Sequence, residues 1–160
     1  MLPVLKEVVP GNLIVFVGRK LEVRKAQSLD EYSLDNKFEA RFEVLSVIFG
    51  SHRDHEIRFT AYDHLARDLP GFARQEVVLL YVSRYEGRLF HEKYQYDLVY
   101  PTRDGRWAGC GTSDRAAPQI RLHPIDFAPE ARSGCTEGLY AEELFEARRR
   151  GVLRARGLFQ

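Results

Sequence analysis

Phe38-Glu39-Ala40-Arg41-Phe42-Glu43-Val44 is the stretch on which the fold turns. Phe38, Ala40, Phe42 and Val44 fall on one side of an extended chain, and Glu39, Arg41 and Glu43 fall on the other. Side chains alternate across a strand with a period of two residues, so this segment reads as a strand with one face in a core and one in water. From Leu45 to Phe49 the run is apolar on both faces, and Gly50 ends it. A strand that passes from one-sided to two-sided burial suits a curled or closed sheet, one end of which another element covers.

Working outward, the upstream segment Leu13-Ile14-Val15-Phe16-Val17 reads as a strand, and its pattern continues through Leu21 and Val23. Gly18 interrupts it, as a glycine does at a bulge or bend. The polar stretch from Ala26 to Lys37 reads as a loop. Downstream, Ser51 to His55 is a polar turn, and Glu56 to Tyr62 alternates with Ile57, Phe59 and Ala61 inward. Asp63 to Gly71 reads as a loop. Val77 to Val82 is a continuous apolar run, expected as a central buried strand. Glu86-Gly87 is a tight-turn signal, with Arg88 to Tyr96 as the hairpin partner.

The chain then changes character. Pro101, Pro118, Pro124 and Pro129, with Gly105, Gly109, Gly111 and Gly134, break up residues 97 to 136. Asp104-Gly105 is a turn signal joining Leu98–Thr102 to Arg106–Trp107. The stretch from 108 to 136 is expected to be a long irregular loop, a feature that in a compact domain is either functional or a sign that short elements have been misread. A helix is expected over 137–151. Thr136 is its expected N-cap, Leu139, Tyr140, Leu144 and Ala147 its apolar stripe, and Gly151 its stop. Early Glu142, Glu143 and Glu146 and late Arg148, Arg149 and Arg150 match the helix dipole. Val152 to Gln160 reads as a frayed tail.

With 160 residues the chain is the size of one domain, so 1–160 is expected to be a single soluble domain, with 13–107 as its strand-rich barrel. Hydrophobic residues at 44% and charged residues at 29% exclude a disordered composition. A formal net charge of +1 argues against a polycation that binds polyanions with its whole surface. No apolar run is long enough to span a membrane. The start, Met1-Leu2-Pro3-Val4-Leu5-Lys6, lacks a basic region followed by an apolar core, so the sequence reads as cytoplasmic unless a signal peptide has been removed.

Five antiparallel strands, a bulged first strand and an appended helix suggest a mainly β fold, an OB-like barrel of five or more strands with a C-terminal helix. Ile14-Val15-Phe16-Val17-Gly18, Phe42-Glu43-Val44-Leu45-Ser46-Val47-Ile48-Phe49-Gly50 and Glu56-Ile57-Arg58-Phe59 resemble the rhythm of the netrin-like OB folds, which include the tissue inhibitors of metalloproteinases. The resemblance covers roughly residues 13 to 85 and implies a fold and a binding role. Those inhibitors bind the protease zinc through an N-terminal cysteine. This chain begins Met1-Leu2-Pro3, so the inhibitory chemistry is not implied.

Several constellations bear on function. Cys110 and Cys135 are a candidate disulfide, which would imply an oxidising compartment; in the cytoplasm they would be thiols. Cys110 with His123 can be read as a thiol nucleophile and its base, but no nucleophile motif surrounds Cys110, and Gly109-Cys110-Gly111 reads equally as a flexible loop. His52, His55 and His64, with Asp54 and Asp63, are weak metal candidates: they flank opposite ends of one strand, roughly 20 Å apart, and also read as solvated turn residues. Tyr81, Arg84, Tyr85, Arg88, Phe90, Lys93, Tyr94 and Tyr96 interleave rings with positive charge, the pattern of single-strand nucleic-acid platforms, although Glu86, Glu92 and Asp97 dilute it. Trp107 is a candidate interface anchor, or else a barrel plug. Arg148-Arg149-Arg150 reads as a solvated helix end.

The expectation is a non-enzymatic binding module that engages a protein partner through the 97–136 stretch and exposed aromatics. Trp107, Tyr85, Arg88 and Tyr94 are its candidate binding residues, with no catalytic residue and no cofactor. The alternatives are single-stranded nucleic-acid binding on the strand face and a small metal-dependent hydrolase.

Overall fold

A computed structural model describes residues 12–26, 36–64, 68–111, 121–129 and 134–155, with side chains described as far as residue 150. The segment Met1–Lys6, most of the loop expected from Ala26 to Lys37, and the last residues of the expected tail lie outside that set. The fold is mainly β with one C-terminal helix, and it divides into two compact units, Asn12–Tyr96 and the residues from Asp97 onward.

The first unit holds β1 (Leu13–Ala26), β2 (Asn36–Phe49), β3 (Glu56–Asp63), β4 (Val77–Tyr85) and most of β5 (Arg88–Leu98). The strand order is β1-β2-β3-β5-β4, and β4 pairs back onto β1 from Leu13↔Ser83 to Arg19↔Val77. Connectivity fixes the directions. β2 is antiparallel to β1, β3 to β2, and β4 to β1. The tight turn after β4 then sends β5 the same way as β3, so the closing seam is parallel. The mostly antiparallel pairing expected from the sequence thus has this one parallel exception. The seam rests on one register pair, Thr60↔Phe90, so the sheet closes without being a regular barrel.

The inward faces carry what the alternation promised. Ile14, Phe16, Phe38, Ala40, Phe42, Ile57, Phe59, Ala61, Val78, Leu80 and Val82 form one buried cluster. A 3-10 turn, Gly71–Arg74, lies between β3 and β4 and adds Phe72 to it. The rings interlock: Phe42 stacks on Phe59 at 5.6 Å between centroids, and Phe72 lies 5.7 Å from Phe59. Gly18 is needed here because a Cβ would come within 2.7 Å of the Phe16 ring. The β1–β2 ladder shifts register at Val17/Gly18, the bend that the glycine signalled. The Glu86-Gly87 turn is also as read, with φ of 51° and 79°, the positive values that a two-residue hairpin loop favours.

Two-sided burial falls elsewhere than expected. Leu13 to Val17 of β1 and Val78 to Val82 of β4 are buried throughout, whereas Leu45 to Phe49 are not, and Val47 is 38% exposed. The β2–β3 ladder stops at Glu43↔Glu56, so the end of β2 pairs with β1 alone. β2 also starts at Asn36, inside the expected loop.

The second unit corrects the irregular stretch at 108–136 and the helix start. It contains β6 (Tyr100–Pro101), β7 (Trp107–Cys110), β8 (His123–Pro124) and β9 (Glu137–Tyr140) in the order β6-β7-β9-β8, followed by α1 (Ala141–Ala155). Asp104-Gly105 does turn β6 into β7. Glu137 to Tyr140 is a strand because Gly138 lets β9 lie flush on β7; a Cβ there would meet the Gly109 carbonyl oxygen at 1.8 Å. Thr136 is therefore no N-cap. The helix starts where the Glu143 carboxylate accepts the Tyr140 N–H at 2.9 Å, one half of a capping box. It runs through Gly151, which does not stop it.

Ala108, Ile125 and Phe127 form a small core, with Tyr100, Cys135 and Tyr140 packed on it. Cys110 and Cys135 are disulfide-bonded, with Cα atoms 6.0 Å apart. Arg148 is buried, contrary to the solvated reading of the arginine run. Its guanidinium forks onto Asp97, Nη2 to Oδ1 at 2.7 Å and Nε to Oδ2 at 3.3 Å. A buried carboxylate needs such a partner, and the arginine fork satisfies both oxygens.

Candidate binding surface

The β4–β5 hairpin carries most of the candidate residues. Tyr85 sits at its tip, 65% exposed, beside the Glu86-Gly87 turn, and Arg84 and Arg88 flank it in water. Inward- and outward-facing positions separate the interleaved rings. Tyr81 is buried, and Tyr96 packs against the core with its hydroxyl next to Gly71. The water-facing members are Arg84, Tyr85, Arg88, Lys93 and Tyr94, with Phe90 half-buried. Arg88 lies over the Phe90 ring at 5.4 Å, and Lys93 lies over the Tyr94 ring at 5.5 Å.

Tyr94 has a φ of 67°, in the left-handed region that favours glycine. A bulky residue there costs of order 1 kcal/mol or more and persists only where its surroundings hold it. The His91 Nε2–H donates to the Gln95 carbonyl at 2.8 Å, bridging the irregular stretch from the core side. The Tyr94 hydroxyl accepts the His64 N–H at 3.2 Å. The ring is thereby held in place while remaining 37% exposed.

The other candidates are scattered. His52 and His55 precede β3, and the His52 Nε2–H donates to the Glu56 carbonyl at 2.8 Å. Asp63 and His64 are at the opposite end of that strand, so β3 itself keeps the two groups apart. Among the described residues, no group of three or more His, Cys, Asp or Glu side chains is placed to hold a metal ion. Cys110 is in the disulfide, which removes the thiolate that a Cys110–His123 pairing needs. His123 instead pairs with Glu143. Trp107 is half-buried in β7 opposite Pro101, in the small second sheet.

One grouping was not legible in the sequence. Arg41 stands directly opposite Arg58 in the β2–β3 ladder. Arg58 and Arg88 each lie two residues before the seam pair Thr60↔Phe90, on neighbouring strands and on the same outward face. Register, which no single sequence displays, is what brings them together.

Comparison of the chain with protein-family models, with characterised proteins and with solved structures finds no match in any of the three.

Proposed function

We propose that this chain is a non-enzymatic binding module on an OB-like barrel and that its partner is a protein. The observation that carries the reading is the pair of exposed tyrosines on one hairpin, Tyr85 at the tip and Tyr94 held in a left-handed backbone conformation. Rigid exposed rings are what interfaces use as anchors, because they bury large area at little entropic cost. Strain kept at a water-facing aromatic is a cost that folding alone does not repay. The strand order β1-β2-β3-β5-β4, closed by the β4–β1 ladder, with a helical turn between β3 and β4, supports the OB-like assignment. The Cys110–Cys135 disulfide supports an oxidising compartment as the place of action.

Affinity capture with the full chain, followed by titration of the recovered partner, tests the reading. Tyr85→Ala is expected to weaken the complex at least tenfold, Tyr94→Ala similarly, and Trp107→Ala to a smaller degree because its ring is half-buried. Unchanged affinity in both tyrosine variants would remove the hairpin from the interface.

A further inference from the structure

Arg41, Arg58 and Arg88 form a row across three neighbouring strands on the outer wall of the sheet. Neighbouring strands are about 4.8 Å apart, so the outer two arginines stand about 10 Å apart at their Cα atoms, within reach of a common point for side chains of this length. All three face outward. Their inward neighbours Phe42, Ile57 and Phe59 are in the core, and the Arg88 Nη2 reaches the outward Thr60 hydroxyl at 3.4 Å.

Like charges placed directly opposite one another across a ladder are destabilising. Carboxylates ordinarily relieve them. Glu22 on β1 stands opposite Arg41, one strand removed from Arg58 and two from Arg88, and the wall's four carboxylates on β2, β3 and β5 are each engaged. Glu56 pairs with Arg41 at 3.0 Å, and Glu43 pairs with Arg19 at 2.7 Å. Glu39 lies 3.7 Å from Lys37 and accepts the Thr60 hydroxyl, and Glu92 accepts the Ser83 hydroxyl. Among the described residues no carboxylate pairs with Arg58 or Arg88. Two guanidinium groups, with a third beside them, thus present their forks to water, Arg41 and Arg58 on the β2–β3 ladder and Arg88 beside the seam. Arg88 is further oriented by the Phe90 ring. Arginine forks match the oxygens of a tetrahedral anion.

We propose that the Arg41–Arg58–Arg88 row is an oxyanion-binding site that takes a phosphate or sulfate group. Arg58 is central, Arg88 supplies the second fork, and Arg41 adds charge while tied to Glu56. The proposal does not depend on the protein-partner reading, which rests on the hairpin tyrosines.

The test is the melting temperature of the full chain in sodium chloride, in sodium phosphate and in sodium sulfate at matched ionic strength. The unaltered chain is expected to gain about 2–4 °C in millimolar phosphate or sulfate over chloride. Arg58→Gln and Arg88→Gln are expected to lose that gain. Arg58→Gln is also expected to melt at the same or a slightly higher temperature in low-salt chloride, because it removes the repulsion at the centre of the row. A control, Arg74→Gln, exposed on the 3-10 turn and outside the strands that carry the row, should keep the full gain. A short thymidine oligonucleotide then distinguishes the source. Competition with phosphate at the row assigns the group to a nucleic-acid chain, and failure to compete assigns it to a small phosphate or sulfate ester. The proposal is overturned if phosphate and sulfate give no gain over chloride, or if the gain survives in both the Arg58 and Arg88 variants.

Discussion

The two units solve the same problem by different means. Asn12–Tyr96 is held by apolar contact: rings from β2, β3 and the 3-10 turn meet in one cluster, and both faces of β1 and β4 are buried along much of their length. The unit from Asp97 onward has strands of two to four residues, a small cluster of Ala108, Ile125 and Phe127, and further buried apolar residues at Val99, Leu139, Leu144 and Phe145. It adds specific links, a disulfide from Cys110 to Cys135 and a buried fork from Arg148 to Asp97. Strands this short pair over few residues, so the disulfide and the buried fork add to the apolar contacts of α1 and the small sheet. Hydrophobic burial is spread over many residues, whereas a disulfide or an ion pair concentrates stability at one point.

That contrast breaks most visibly at the core. Phe42→Ala is expected to cost about 3–5 kcal/mol, since it empties the space between Phe59 and Phe72, and urea unfolding followed by tyrosine fluorescence reads it. Asp97→Ala is expected to cost about 3 kcal/mol by removing the carboxylate onto which the buried Arg148 guanidinium forks. The Asp97→Leu, Arg148→Met double variant should recover most of that loss; a double variant as unstable as the single would show that the pair contributes more than mutual neutralisation. Tyr85→Ala, at an exposed hairpin tip, is expected to change stability by less than about 0.5 kcal/mol while weakening partner binding. A large stability loss there would make Tyr85 structural and withdraw it from the interface.

Legibility in the sequence follows the same divide. The barrel strands could be read because their inner and outer faces differ chemically: Phe38, Ala40 and Phe42 against Glu39, Arg41 and Glu43. The Glu86-Gly87 turn could be read because its backbone demands such residues. The second sheet was hidden because its strands are too short to show a period, and Leu139 and Tyr140 happen to fit a helical stripe with Leu144. Gly138 decided the matter through a contact with Gly109, a residue far away in sequence. Of the candidate surface, Tyr85, Arg88 and Tyr94 were legible as an interleaved run, but the inward turn of Tyr81 and Tyr96 was not. The arginine row was illegible for a deeper reason. Arg41, Arg58 and Arg88 are unremarkable singly and become neighbours only through ladder register and a parallel seam.

The measurement that tests the account most directly is amide hydrogen exchange of the intact chain with and without a dithiol reductant, resolved by peptide. Closing a loop of 25 residues is worth about 3 kcal/mol, which reduction removes. The account predicts that protection falls by two orders of magnitude or more at Ala108–Cys110 and Gly138–Tyr140, while Val15–Val17 and Leu79–Leu80 keep theirs. Equal loss in both regions, or no loss around the disulfide, would contradict the claim that the second unit depends on its disulfide and the first does not.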